Sequence, residues 1–262
     1  MTALALTASA ALAATGAGLI YYATYAVRSQ WLGATHWRGR ADTGAVALTF
    51  DDGPSADTER VLDVLDAYDV RATFFMVGRQ VERFPQMARR VAASGHEIGN
   101  HSYSHPIYLY RSARETHWQL ERTQQIIAAV TGVRARRARP PCGVRSPAYF
   151  RAARALGLQT VQWTRAGFDW TKRSPAEIAR LVLRRARAGS IILLHDGDSE
   201  NKKDRRATVA ALPLIIEGLQ AQGLRVAPLA ELLAGVRLSA GQSAPVVNDE
   251  GTRPMMREQH DA

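Results

Sequence analysis

Ala45-Val46-Ala47-Leu48-Thr49-Phe50-Asp51-Asp52-Gly53-Pro54 is the stretch on which the reading of this chain turns. Ala45 to Phe50 has the apolar run of a buried strand, and Gly53-Pro54 forces the chain to stop and bend. Two neighbouring carboxylates at a strand's end repel each other, which is costly unless a cation or a proton separates their roles. The stretch therefore points to a site. The plain alternative is an acidic strand-to-helix turn in which one aspartate is merely solvated.

Beyond this point short β-type runs alternate with helical patterns, the sign of βα units and a parallel sheet or barrel. Seven strands are expected: Ala45 to Phe50, Arg71 to Val77, His96 to Asn100, Ala135 to Arg139, Leu158 to Trp163, Ser190 to His195 and Leu224 to Pro228. Helix signals fill the gaps. Val61, Val64, Leu65 and Tyr68 share one helical face. Pro85 and Gly95 bracket the next helix, and Ser112 with Glu115 and Ser174 with Glu177 have capping-box spacing. Residues 204 to 222 form a last long helix in which Pro213 marks a late start or a kink.

With 262 residues and 46% apolar content the chain holds one α/β domain with a full core. A formal net charge of +10 suggests an anionic neighbourhood of lipid headgroups, acidic wall polymer or nucleic acid, without choosing among them. The lone Cys142 excludes an internal disulfide.

Residues 1–27 contain no charge before Arg28 and, as a helix, rise about 40 Å, enough to span a bilayer with tilt. We expect a transmembrane anchor there, with Tyr22, Tyr25 and Trp31 at the interface. A cleaved signal segment is the rival, since Ala8-Ser9-Ala10 and Ala11-Leu12-Ala13 resemble cleavage sites. Arg28, Arg38 and Arg40 follow the span, which favours a cytoplasmic domain by the positive-inside tendency; basic residues upstream would reverse that. The expectation is a membrane-anchored domain facing out of the cytoplasm, with the cytoplasmic face as the alternative. Residues 28–44 are expected to be a linker, 45–235 the folded domain and 236–262 a disordered tail.

Polar residues collect at the carboxyl ends of the expected strands. Asp51 and Asp52 follow the first, His101 and His105 the third, Arg139 the fourth, Asp169 and Trp170 the fifth, and His195 closes the sixth. In a parallel barrel those ends meet on one face, where catalysis is usually found. His101 and His105, four apart, can reach one metal ion, and with Asp52 they make a two-histidine, one-carboxylate set that leaves positions open. His36, His96, His117 and His260 lack such company and are taken as structural or exposed. His195, at the same face, suits proton transfer.

Taken in order, TFDDGP (49–54), HSYSHP (101–106), RPPCG (139–143), FDW (168–170) and LLHD (193–196) resemble the five motifs of the polysaccharide deacetylases, the NodB-homology domain of carbohydrate esterase family 4. The resemblance covers about Ala45 to Leu233 and implies a distorted (β/α)7 barrel of parallel strands. It also implies roles. Asp52, His101 and His105 would hold a divalent metal, zinc before cobalt, and Asp51 would be the general base, paired with Arg139. The oxyanion would be held by the metal and the backbone N–H of Cys142. His195 would be the general acid, oriented by Asp169, and Trp170 and Leu193 would line the groove for sugar and acetyl methyl. Cys142 departs from the family's usual aromatic residue, which leaves the backbone donor but alters the pocket wall.

The implied activity is metal-dependent removal of N-acetyl groups from N-acetylglucosamine-containing glycans, chitin-like or peptidoglycan, or from a lipid-linked sugar precursor. The alternatives are an O-acetyl esterase on xylan or wall polymers and an idle glycan-binding module. Nucleic-acid binding through Arg134, Arg136 and Arg137 is disfavoured, and the sequence implies no protein partner.

Overall fold

The computed structural model describes residues 3–236, the first six and Ala10 by their backbone alone. Helix α1 spans Ala3–Tyr25, and the barrel begins with β1 (Ala45–Asp51), buried along its whole length. Then come α2 (Ala56–Ala67), β2 (Thr73–Met76), α3 (Gly78–Arg83), α4 (Pro85–Ala93), β3 (Glu97–Asn100), α5 (Ala113–Thr131), β4 (Arg137–Ala138) and α6 (Pro147–Ala155). The chain finishes with β5 (Gln159–Thr160), β6 (Arg165–Ala166), α7 (Pro175–Leu183), β7 (Ile191–His195), α8 (Arg206–Ala221), β8 (Arg225–Val226) and α9 (Leu229–Leu232).

All strand pairs are parallel, in the order β5-β4-β3-β2-β1-β7-β6, with β8 pairing the start of β1. This is the expected distorted (β/α) barrel. Phe50, Phe74, Val61, Leu65, Ile192, Leu194, Ile215 and Leu219 form the main core between the sheet and α2, α7 and α8. At about 25 cal/mol per Å² such burial is the dominant favourable contribution to folding. Register matters most for the site: Asp51 stands opposite both Phe75 and His195, so neighbouring strands end at one level.

Each of the seven expected strands is present, the first running one residue further, to Asp51, and the other six shorter, and an eighth, β6, lies where the sequence showed no β run. Asp169 and Trp170 consequently follow β6 rather than the fifth strand. Pro213 lies inside α8, which runs through it. The barrel's seam is filled by the stretch read as a linker. His36 bridges Val161, its N–H donates to Thr160 O (2.9 Å) and its carbonyl accepts from Gln162 N (2.7 Å). Gly39 N donates to Gly189 O (2.8 Å), and Arg40 N donates to Leu232 O (3.0 Å).

The expected membrane span requires correction. Among the described residues no helix is long and apolar enough to cross a membrane. Residues 11–25 contain Ala, Gly, Thr and Tyr with Leu12, Leu19 and Ile20 as the only large aliphatic residues. The end of α1 is also fixed to protein: Thr24 is buried and Tyr22 packs edge-on against Trp31. The expected tail lies, beyond Val236, outside the described residues, as does His260. His36 and His96 are buried, in keeping with a structural role.

Candidate active site

The turn after β1 is shaped by close approach. A Cβ on Gly53 would fall 2.0 Å from Asp196 Oδ2, so only glycine fits. Ser55 caps α2, its Oγ accepting from Asp57 N and donating to the Asp196 carbonyl, while Thr58 Oγ1 donates to Asp196 Oδ2 (2.6 Å). These bonds tie the β1 turn to the β7 turn. Asp52, Ser102, His105 and Cys142 all have positive φ, at 75°, 67°, 60° and 54°. Left-handed backbone costs a non-glycine residue about 1–2 kcal/mol and persists where the surroundings impose it, typically around sites.

Asp51 and Arg139 form a buried pair. Arg139 Nη1 donates to Asp51 Oδ1 (2.7 Å) and Thr49 Oγ1 (2.8 Å), Nη2 donates to Gln162 O (3.1 Å), and the guanidinium lies 4.2 Å from the centre of the Phe75 ring. Burial pushes the Asp51 carboxyl above the ordinary range, against the pull of the Arg139 charge. The result is a carboxylate whose proton affinity is raised while its geometry is fixed.

Asp52, His101 and His105 converge, with their donor atoms within 4.8 Å of one another. His101 Nδ1 shares a 2.7 Å hydrogen bond with the Arg139 carbonyl, which only accepts, so Nδ1 carries the proton and Nε2 is a bare lone pair. Burial first, then the His105 neighbour, lowers the His101 pKa to about 3, keeping it neutral. Its Nε2 faces Asp52 Oδ1 at 3.5 Å, and His105 Nε2 stands 3.2 Å from the same oxygen. Asp52 Oδ1 is buried with no hydrogen-bond partner among the described residues. A lone pair facing a carboxylate oxygen is repulsive until a cation lies between them. Donors about 2.0–2.2 Å from a tetrahedral zinc stand roughly 3.3 Å apart, so the set fits such an ion.

The loop carrying the two imidazoles is held from behind. Asn100 Oδ1 accepts from Ser102 N (3.0 Å), Gln119 Oε1 accepts from Tyr103 N (3.0 Å) and Ser104 N (2.9 Å), and Ser102 Oγ accepts from His105 N (3.0 Å).

Across the β1–β7 register, His195 Nδ1 pairs with Asp169 Oδ1 (2.9 Å). Asp169 Oδ2 accepts from His195 N (2.8 Å) and Thr208 Oγ1 (2.8 Å). Burial opposes charge on the imidazole, but Asp169, aided by the Asp52 and Asp51 carboxylates, outweighs it and raises the pKa to about 9. His195 is therefore an imidazolium at neutral pH with Nε2–H free to donate. Burial pushes Asp196, just beyond, up to about 7.

These groups surround one cavity of about 370 Å³, lined by Asp51, Asp52, His101, His105 and His195 with Cys142, Trp170 and Leu193 on its walls. All ten residues singled out in the sequence come together, Arg139 and Asp169 standing behind the lining. Trp163 and Arg205, which also line it, were missed, as were the supports Thr49, Gln162 and Thr208. Trp163 ends an expected strand and was the one legible signal; the others are polar residues in ordinary surroundings.

The polysaccharide deacetylase family profile matches residues 38–161, and a peptidoglycan-N-acetylglucosamine deacetylase of Bacillus cereus is 37% identical over 212 residues, 77% of this chain and 93% of that protein. The chain belongs to the polysaccharide deacetylase family. A chitooligosaccharide deacetylase of Sinorhizobium fredii is 39% identical over 200 residues, 72% of this deacetylase and 93% of the relative. Among solved structures, a peptidoglycan N-acetylglucosamine deacetylase superposes with a TM-score of 0.72 at 33% identity, covering 76% of this chain and 92% of that one. A family 4 pseudoenzyme from Bacillus anthracis superposes nearly as well, with a TM-score of 0.70 at 32% identity, covering 76% and 68%. Fold alone thus does not establish turnover. In this deacetylase the metal-ligand set, the buried carboxylate pair and the charged histidine are all in place.

Proposed function

We propose that this chain hydrolyses the N-acetyl groups of N-acetylglucosamine residues in a peptidoglycan or chitin-oligomer glycan, releasing acetate and leaving a free amine. The observation that carries the reading is the pairing on one cavity of a raised, buried carboxylate with an imidazolium, beside a donor set whose spacing fits a divalent cation. Such a glycan would place the enzyme's work at the cell envelope, outside the cytoplasm.

Asp52, His101 and His105 would hold a divalent ion, zinc in our reading, which when bound polarises an acyl oxygen and acidifies water. Asp51 takes the proton of the attacking water on Oδ2, since Oδ1 is engaged by Arg139. Arg139 keeps that carboxylate aimed and ionised. The Cys142 N–H donates to the oxygen that gains charge as the carbonyl is attacked. His195 gives its Nε2 proton to the departing sugar nitrogen, with Nδ1 retained by Asp169. Trp170, edge-on to His195 with ring centres 5.3 Å apart, and Leu193 bound the space for the sugar and the methyl group.

Supplying the purified enzyme with N-acetylated chitin oligomers, peptidoglycan fragments and O-acetylated xylan tests the reading. Acetate from the N-acetyl substrates supports it; acetate from xylan alone would reassign the enzyme as an O-acetyl esterase, and none from any would favour a binding module.

A further inference from the structure

Arg145 is among the largest fully buried side chains of the protein and faces no carboxylate among the described residues. An ionised guanidinium removed from water is costly unless acceptors meet it. Its acceptors are backbone carbonyls at the end of α1: Nη2 donates to Ala26 O (2.7 Å) and Ala23 O (3.4 Å), while the Arg145 N–H donates to Thr24 O (3.1 Å). The last carbonyls of a helix lack intrahelical partners and carry the negative end of its dipole, so a cation is favourable there.

The other side of this contact is the catalytic wall. Arg145 lies three residues after Cys142, in the segment between the Pro141–Gly143 turn and Ser146, the N-cap of α6. Cys142 holds φ 54° without being glycine, a conformation that needs outside support. Gln162 Nε2 supports the turn's middle through Gly143 O (2.8 Å), and Val144 N closes it onto Pro141 O (3.0 Å). Its exit is held through Arg145.

We propose that Arg145 is a positioning residue of the active site, clamped by the terminal carbonyls of α1, so that the last turn of that helix belongs to the catalytic scaffold. The inference rests on the deacetylase reading and on the Cys142 N–H as oxyanion donor. It also bears on processing. Both small-residue stretches that resemble cleavage sites end before Ala23, so a cut at either would leave the clamp intact.

Arg145→Met in the full chain removes the clamp while keeping apolar bulk. Hydrogen exchange at residues 22–29 should accelerate, kcat should fall about tenfold or more, and KM and zinc affinity should stay within twofold, because the ligands lie on other loops. Arg145→Lys, which restores a donor to the same carbonyls, should recover kcat to within about threefold. A second perturbation acts from the helix side: Ala23→Gly with Thr24→Gly loosens the last turn without touching a cavity atom, and should give the same split should Arg145→Met not fold. Accelerated exchange with unchanged kcat in either variant would overturn the proposal, as would equal losses in kcat and zinc affinity. The wild-type enzyme separates the two readings: no acetate release would refute the deacetylase assignment, whereas release with indifferent variants would refute only the clamp.

Discussion

Asp169→Asn is the most informative single change. The amide is isosteric and can still accept from Thr208, but it removes the negative charge that holds His195 as an imidazolium. In the protein His195 is raised to about 9, so at pH 7.5 about 97% of molecules carry the proton to be donated. Without the Asp169 charge the remaining large influence is burial, which lowers the pKa; at or below the ordinary 6.5 no more than about 9% are protonated at that pH. Protonation alone therefore predicts a loss in kcat of at least about tenfold at pH 7.5, with more from the lost orientation. A bound cation withdraws the share contributed by Asp52, so the wild-type alkaline limb should lie at or below about 9. The assay is acetate release against pH in both proteins, with zinc affinity measured alongside. The variant's alkaline limb should shift toward lower pH while zinc affinity holds. Stability follows with a definite sign. A raised folded-state pKa contributes about 3 kcal/mol that is fully present below pH 6.5 and lost as pH rises through about 9, so the variant's deficit in denaturant unfolding should vanish at high pH. An alkaline limb that does not move would refute the assignment of His195 as an acid maintained by Asp169.

Arg139→Met leaves Asp51 buried without its counter-charge; the acidic limb of activity should move to higher pH and stability should drop by roughly 3–5 kcal/mol, read by pH-rate profile and urea unfolding. Cys142→Tyr keeps the backbone donor and enlarges the wall, so kcat on a short oligomer should change less than about fivefold while the preference for chain length shifts, measured by product analysis on an oligomer series. Gly53→Ala forces a methyl group into Asp196 Oδ2 and should lower stability by about 2 kcal/mol or more, with a fall in zinc affinity because Asp52 adjoins the turn; calorimetry and zinc titration check it.

What the sequence conveyed and what it hid divide along physical lines. Ala45 to Phe50 was legible because a long buried strand needs a continuous apolar run, and the site because its residues must sit at strand ends. The two-residue strand β6 was not, since Arg165-Ala166 pairs with Ile192 and Leu193 through backbone alone and leaves no side-chain pattern. The same holds for His36 to Arg40, whose seam-filling contacts are N–H to carbonyl bonds. Residues 1–27 misled because a run without charge was read as a span, although its alanines, glycines and threonines bring little apolar weight and its last turn serves Arg145. Thr208 acts on the site by one hydrogen bond and Gln162 by two, from elements distant in the chain, which no local motif announces.

In our reading a cation held by Asp52, His101 and His105 makes this site a deacetylase. The direct measurement is acetate release from chitin oligomers by metal-stripped protein titrated with zinc, run beside Asp52→Ala. Activity should appear in step with one zinc bound per chain and be absent, together with tight zinc binding, in the variant. Equal acetate release from the stripped protein, or from a folded Asp52→Ala variant, would contradict it.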